Sequence, residues 1–180
     1  MIIGVTGISG SGKTTTARYL SEHYNAEYVS LDALGHHILA ENYLVRCVAK
    51  LLFGTTERPI IARQVFSSPW KLLLWNAVMH PLIRRLVQRK IRDKTKSFVL
   101  DGALLYQMSL HKYCNEVIFL DAPEELLQRR LLAEGLSPAQ ALRRLAANQK
   151  VYIYKELADV LIINNGSLIA LQKKIENICR

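Results

Sequence analysis

The stretch GVTGISGSGKTTTARYL, Gly4 to Leu20, decides the fold, because four of the chain's nine glycines fall in it beside a lysine and four threonines. Within it Gly7, Gly12, Lys13 and Thr14 fit G-x-x-x-x-G-K-[ST], after an apolar run of strand length and before an amphipathic segment, the context that motif requires. Glycines let successive backbone N–H groups point into one concavity without Cβ obstruction, where they hydrogen-bond phosphate oxygens. The helix N-terminus adds unpaired donors and the positive end of its dipole. Gly7, Gly10, Ser11, Gly12, Lys13, Thr14 and Thr15 are therefore read as a cradle for a nucleoside triphosphate. Lys13 supplies charge to the β- and γ-phosphates, and the Thr14 hydroxyl is a ligand for Mg²⁺. ATP and Mg²⁺ are the expected cofactors. The competing reading is a glycine turn that only links strand to helix.

The totals set bounds around that loop. A chain of 180 residues with 50% apolar and 22% charged residues reads as one soluble domain able to bury a real core. Its start carries no basic segment before an apolar run, so no secretory signal is expected, and no stretch reaches the length of a membrane span. A cytoplasmic location with no membrane partner follows by default. Cys47, Cys114 and Cys179 are scattered and form no CxxC pair, which favours reduced thiols over disulfides or zinc. The formal charge of +9 predicts an anionic partner, either phosphorylated small molecules or nucleic acid. Basic residues spread over several segments without interleaved aromatics make nucleic acid the poorer match.

Short apolar runs alternate with helical periodicity along the chain. IIGVT, EYVSL, SFVLD, EVIFLD and DVLII are strand-like, and 13–23, 32–53, 59–66, 69–93, 123–134, 137–157 and 167–179 are helix-like. That alternation predicts a parallel sheet covered on both faces. Pro81 falls inside a helical pattern and is expected to kink or break it. Ser137-Pro138 with Gln140 predicts a capping box. A phosphate loop is shared by GTPases, motors and small-molecule kinases; a guanine-reading NKxD is absent and the length is short for a motor.

Several stretches together resemble the dephospho-coenzyme A kinase family. Thr6 to Thr15, TGISGSGKTT, is similar to the family's TGGIGSGKST; YVSLDALGHHIL carries Asp32 at the second carboxylate of its D-A-D; VFSSPWKLLLWNAVMHPLI, VLDGALLYQ, EVIFLDAPEELLQRR and ADVLIINNGS match further motifs in the same order. The resemblance spans about residues 2–178. It implies a three-layer α/β/α P-loop NTPase fold with a five-stranded parallel sheet in the order 2-3-1-4-5. It also implies one kinase domain over 1–180, with a helical acceptor-binding region at about 33–92 and a helical lid at about 122–155. The implied reaction is ATP-dependent phosphorylation of the ribose 3′-hydroxyl of dephospho-coenzyme A, by a monomer or small homo-oligomer acting on small molecules. Departures stand at Ser30, Ala103, Gln107, Leu126 and Ala133, where the family has Asp, Pro, Glu, Gln and Arg, and they keep open a related small-molecule kinase. A nucleotide-binding regulatory module or nucleic-acid-binding ATPase is the remaining alternative.

Asp32 follows an apolar strand, where doubly wound folds bind ligands. It is read either as a helix N-cap or as the base for the attacking hydroxyl, and the resemblance favours the base. Asp101, ending SFVLD, is expected to hold Mg²⁺ through water. His80 and Arg84, one turn apart, are expected to touch the acceptor. Arg129, Arg130, Arg143 and Arg144 offer guanidinium groups to a transferring phosphoryl group. Alignment with family positions selects Arg129 and Arg144, leaving Arg130 and Arg143 to solvent or ion pairs. Asn164 fits the family's adenine-proximal turn, and Asp121 is expected to be a helix cap.

Overall fold

The computed structural model describes the backbone of residues 1–178, and their side chains except those of Phe66, Ser67 and Asn148. Cys179, the expected end of the last helix, and Arg180 lie outside the described residues. Two compact units result, residues 1–29 with 93–180, and residues 30–92.

The first unit is built on the parallel sheet, with strands β1 (Ile2–Gly7), β2 (Glu27–Ser30), β3 (Phe98–Asp101), β4 (Glu116–Asp121) and β5 (Val160–Ile163) in the order β2-β3-β1-β4-β5. The order implied by the resemblance is the one observed. In register, Val5 lies beside Asp101 on one flank and Ile118 on the other. Near-continuous apolar composition in β1, β3 and β4 follows from burial on both faces. Ile3, Val5, Val99, Ile118 and Leu120 pack with Ala17 and Leu20 of α1 (Lys13–His23) and with Leu171 and Ile175 of α8 (Leu168–Ile178). On the opposite face Ile8 and Phe119 pack with Leu127 of α6 (Glu124–Ala133) and Val151 of α7 (Pro138–Tyr152). The capping box forms as expected: the Ser137 hydroxyl accepts from Gln140 N–H, and the Gln140 side chain accepts from Ser137 N–H.

Asp121 does not cap α6, contrary to expectation. Its carboxylate instead accepts from Tyr152 Oη at 2.8 Å and from Lys155 Nζ at 2.7 Å, tying the end of β4 to the end of α7. Lys155 and Tyr152 lie where the chain leaves α7, so they compete successfully for the carboxylate. Burial pushes the Cys114 thiol up to about 12, which leaves it inert.

The second unit is helical: α2 (Leu31–Glu41), α3 (Tyr43–Phe53), α4 (Arg58–Ser67) and α5 (Pro69–Lys90). One expectation fails here, and of the kink or break expected at Pro81 the break does not occur. The segment 32–53 is two helices, because Asn42 is extended and its side chain caps α3 by accepting from Val45 N–H. Pro81 does not break α5, which runs unbroken for 22 residues. Met79, Ile83 and Val87 bury one face at four-residue spacing, and that packing outweighs the lost hydrogen bond at Pro81. Gly35 of α2 faces Ile83 and Met79 of α5, where an added Cβ would meet Ile83 at an ordinary contact distance of 3.5 Å. Ala49, Phe53, Ile61 and Val65 form this unit's core with Leu72 and Trp75.

One glycine fixes how β1 ends against β4. Gly7 has φ +135°, and a Cβ there would lie 2.1 Å from the Leu120 carbonyl oxygen. Gly135 has a similar positive φ of +87° but open space around it. Gly7→Ala is expected to lower stability in urea unfolding by roughly 3 kcal/mol or more, from overpacking added to backbone strain. Gly135→Ala should lose only about 1 kcal/mol, from strain alone. Equal losses would contradict the packing assignment.

Candidate active site

The loop between β1 and α1 turns through positive φ at Gly10 (+82°) and Gly12 (+94°), conformations that L side chains disfavour. At Gly12 a Cβ would also strike the Asn164 side-chain nitrogen at 2.7 Å. That contact explains Asn164. Its side chain is buried and donates to the Ser11 carbonyl at 2.9 Å, while its backbone N–H donates to the Asp121 carbonyl at 2.7 Å. Asn164, just beyond β5, therefore pins the phosphate loop from behind.

Arg130 closes the same assembly. One guanidinium nitrogen donates to the Gly10 carbonyl at 3.1 Å and another to the Asn164 carbonyl at 3.3 Å. Around these groups lies a cavity of about 490 Å³ bounded by Gly12, Lys13, Thr14, Thr15, Ala133 and Asn164 among others. That volume suits a nucleotide-sized ligand. Lys13 reaches back across the loop and donates to the Ile8 carbonyl at 2.7 Å. The Thr14 hydroxyl donates to Asp101 at 2.8 Å, and Tyr28 donates to the same carboxylate oxygen at 2.8 Å. Thus Gly10, Gly12, Lys13, Thr14, Thr15, Asp101 and Asn164 share one edge of the sheet, where β1 and β3 end and β5 gives way to Asn164. Ser11 is buried, its hydroxyl without a partner among the described residues, and its carbonyl serves Asn164.

Contrary to the expectation that it serves solvent or ion pairs, Arg130 lines the cavity. Arg129 on α6 and Arg144 on α7 are exposed and make no hydrogen bond among the described residues. A helical wheel carries the missed signal. Leu127 and Leu131 are buried, Arg130 lies about 60° from Leu127 around the axis, and Arg129 lies about 160° away on the outer side. Ala133, where the family has arginine, sits one turn from Arg130 and lines the same cavity. The two positions share a face, so Arg130 puts a guanidinium where Ala133 cannot.

In the helical unit, Ser30 caps α2 by accepting from Ala33 N–H at 3.2 Å. Serine therefore performs there the capping that the family's aspartate would also perform. It also relieves Asp32 of that duty, and Asp32 is exposed in the first turn of α2. His80 is half-buried on α5, and its Nε2 finds no hydrogen-bond partner among the described residues. Arg84 lies one turn further along that helix, also half-buried.

Burial holds the His80 pKa below its ordinary value of 6.5. Unfolded chain takes up a proton there near pH 6.5 while the folded chain does not, so this contribution to stability is complete above that pH. It declines as pH falls below 6.5. Urea unfolding of wild type and His80→Gln at about pH 7.5 and about pH 5.5 checks this, with a smaller acid loss expected in the variant. An identical acid loss would contradict it.

A family model described as dephospho-CoA kinase matches residues 1–170. A dephospho-CoA kinase from Carboxydothermus hydrogenoformans is 31% identical over 186 residues, covering 97% of this chain and 90% of the relative. A crystal structure of a protein from Thermus thermophilus superimposes with a TM-score of 0.79 at 30% identity, covering 99% of this chain and 96% of the other. A dephospho-CoA kinase structure from Campylobacter jejuni gives a TM-score of 0.65 at 23% identity, covering 99% and 94%, and shares the fold. No described helix is long and apolar enough to cross a membrane.

Proposed function

Because the chain belongs to the dephospho-coenzyme A kinase family, we propose that it moves the γ-phosphoryl group of ATP to the ribose 3′-hydroxyl of dephospho-coenzyme A through the residues assembled above. The observation that carries the assignment of roles is the cluster of Lys13, Thr14, Asp101 and Arg130 around the phosphate loop. The 2.8 Å contact between the Thr14 hydroxyl and the buried Asp101 carboxylate gathers hard oxygen donors of the kind Mg²⁺ prefers. Thr14 and Asp101 would hold the ion, which when bound neutralises charge on the β- and γ-phosphates.

With ATP bound, Lys13 exchanges the Ile8 carbonyl for phosphate oxygens, a charge-assisted contact stronger than the one it gives up. Loop amides and the α1 N-terminus hold the remaining oxygens. Arg130 and Asn164 keep the loop in its binding shape. Phosphoryl transfer demands alignment and charge stabilisation above all, so one oriented carboxylate suffices as base. Asp32 takes the proton from the attacking 3′-hydroxyl, and His80 and Arg84 contact the acceptor. Arg129 and Arg144, exposed on the lid helices α6 and α7 within residues 122–155, close on the transferring group and exclude water. Donor and acceptor are soluble small molecules, in keeping with a cytoplasmic enzyme, monomeric or a small homo-oligomer.

Asp32→Asn should depress turnover by roughly a hundredfold or more while ATP affinity stays within about twofold. Steady-state kinetics paired with calorimetry checks this, and retained turnover refutes the assignment. Arg130→Ala should weaken ATP binding by about tenfold or more, whereas Arg129→Ala should lower kcat with ATP affinity preserved. The reverse pattern would exchange their roles.

A further inference from the structure

A second cavity, of about 420 Å³, lies wholly within the helical unit, bounded by His36, Leu39, Ala40, Arg46, Thr56 and Arg58. Two arginines, a histidine and a threonine line it, and no acidic residue among the described residues does. Arg46 and Arg58 make no ion pair or hydrogen bond among the described residues. Glu57, the nearest acid in sequence to Arg58, occupies the position before α4 and does not line the cavity. Arg58 opens α4, so the unpaired N–H groups and positive dipole end of that helix reinforce the same sign of charge. Arg46 and Arg58 are exposed, and two guanidinium groups at the rim of a cavity that no carboxylate among the described residues lines favour an anionic ligand there.

The cavity also has a fixed relation to the proposed base. His36 follows Asp32 by four residues on α2, so the two share a face about 5–6 Å apart. Burial lowers the His36 pKa, Arg58 lowers it further by its charge, and Asp32 raises it. A ligand with its alcohol at Asp32 thus meets the cavity about one helical turn away. In dephospho-coenzyme A, the group at that remove from the 3′-hydroxyl is the diphosphate on the 5′ side of the same ribose. Arginine forks bind such oxygens in bidentate fashion.

We propose that this cavity is the subsite for the acceptor's diphosphate, with Arg58 and Arg46 as its anchors and His36 and Thr56 as supporting donors. The inference rests on the acceptor reading given above, and it makes these residues determinants of acceptor specificity rather than catalytic groups.

The experiment measures initial rates for wild type, Arg58→Ala, Arg46→Ala and Arg58→Lys while ATP and dephospho-coenzyme A are each varied. Each alanine variant should raise KM for dephospho-coenzyme A by about ten- to a hundredfold, with kcat and the KM for ATP within about threefold of wild type. Arg58→Lys should recover part of the loss. In parallel, inorganic pyrophosphate is titrated into each protein with the phosphate loop saturated by a non-hydrolysable ATP analogue. Wild type should bind it and the alanine variants should bind it at least about tenfold more weakly. If wild type turns over dephospho-coenzyme A but the alanine variants keep its KM, the subsite is overturned and the kinase reading stands. If wild type fails to turn it over yet binds pyrophosphate through Arg58 and Arg46, the kinase reading falls and the anion subsite stands. Pyrophosphate binding that is absent, or untouched by either substitution, overturns the subsite.

Discussion

The active edge of this molecule depends on the absence of side chains at Gly7 and Gly12. At Gly7 the backbone of β1 passes so close to the Leu120 carbonyl that a single carbon atom would collide with it. At Gly12 the same carbon would displace Asn164 from the loop it supports. Close approach in these two places sets the curvature of the phosphate loop, and that curvature brings Thr14 to the carboxyl end of β3, where its hydroxyl meets Asp101.

Gripping phosphate with backbone has a consequence for the rest of the site. Amides and a helix dipole are fixed at folding, so they meet charge without reorganising at the moment of reaction. Side chains are left to do what backbone cannot. In the proposed reaction Lys13 moves from a carbonyl to phosphate and Asp32 handles a proton, while Arg130 joins α6 to the loop. Asn164 links Lys13 and Arg130 indirectly, because one amide side chain and its own backbone tie β4, the end of β5 and the loop together.

The phosphate loop was readable from the sequence because local backbone geometry demands glycine at fixed intervals. The strand order came through the family resemblance, and the apolar runs located the strands themselves. What was not legible depended on packing. Arg129 and Arg130 are adjacent and chemically identical, and only the burial of Leu127 and Leu131 separates them. The continuity of α5 through Pro81 rests on Met79, Ile83 and Val87 finding a common partner surface, which no local rule for proline includes. The break at Asn42 was readable in principle, since asparagine caps helices, but apolar periodicity on both sides concealed it. His36, Arg46 and Arg58 are separated by ten and twelve residues, each in a different segment, and only the packing of α2, α3 and the start of α4 makes them one cavity.

The central claim is that a triphosphate held by loop amides gives up its terminal phosphoryl group to one particular alcohol. Phosphorus NMR of the products, after incubation with ATP, Mg²⁺ and dephospho-coenzyme A, tests it most directly. The expected result is ADP together with a new phosphate monoester whose resonance couples to the ribose 3′ proton. ADP accompanied only by inorganic phosphate, with the acceptor unchanged, would contradict the account.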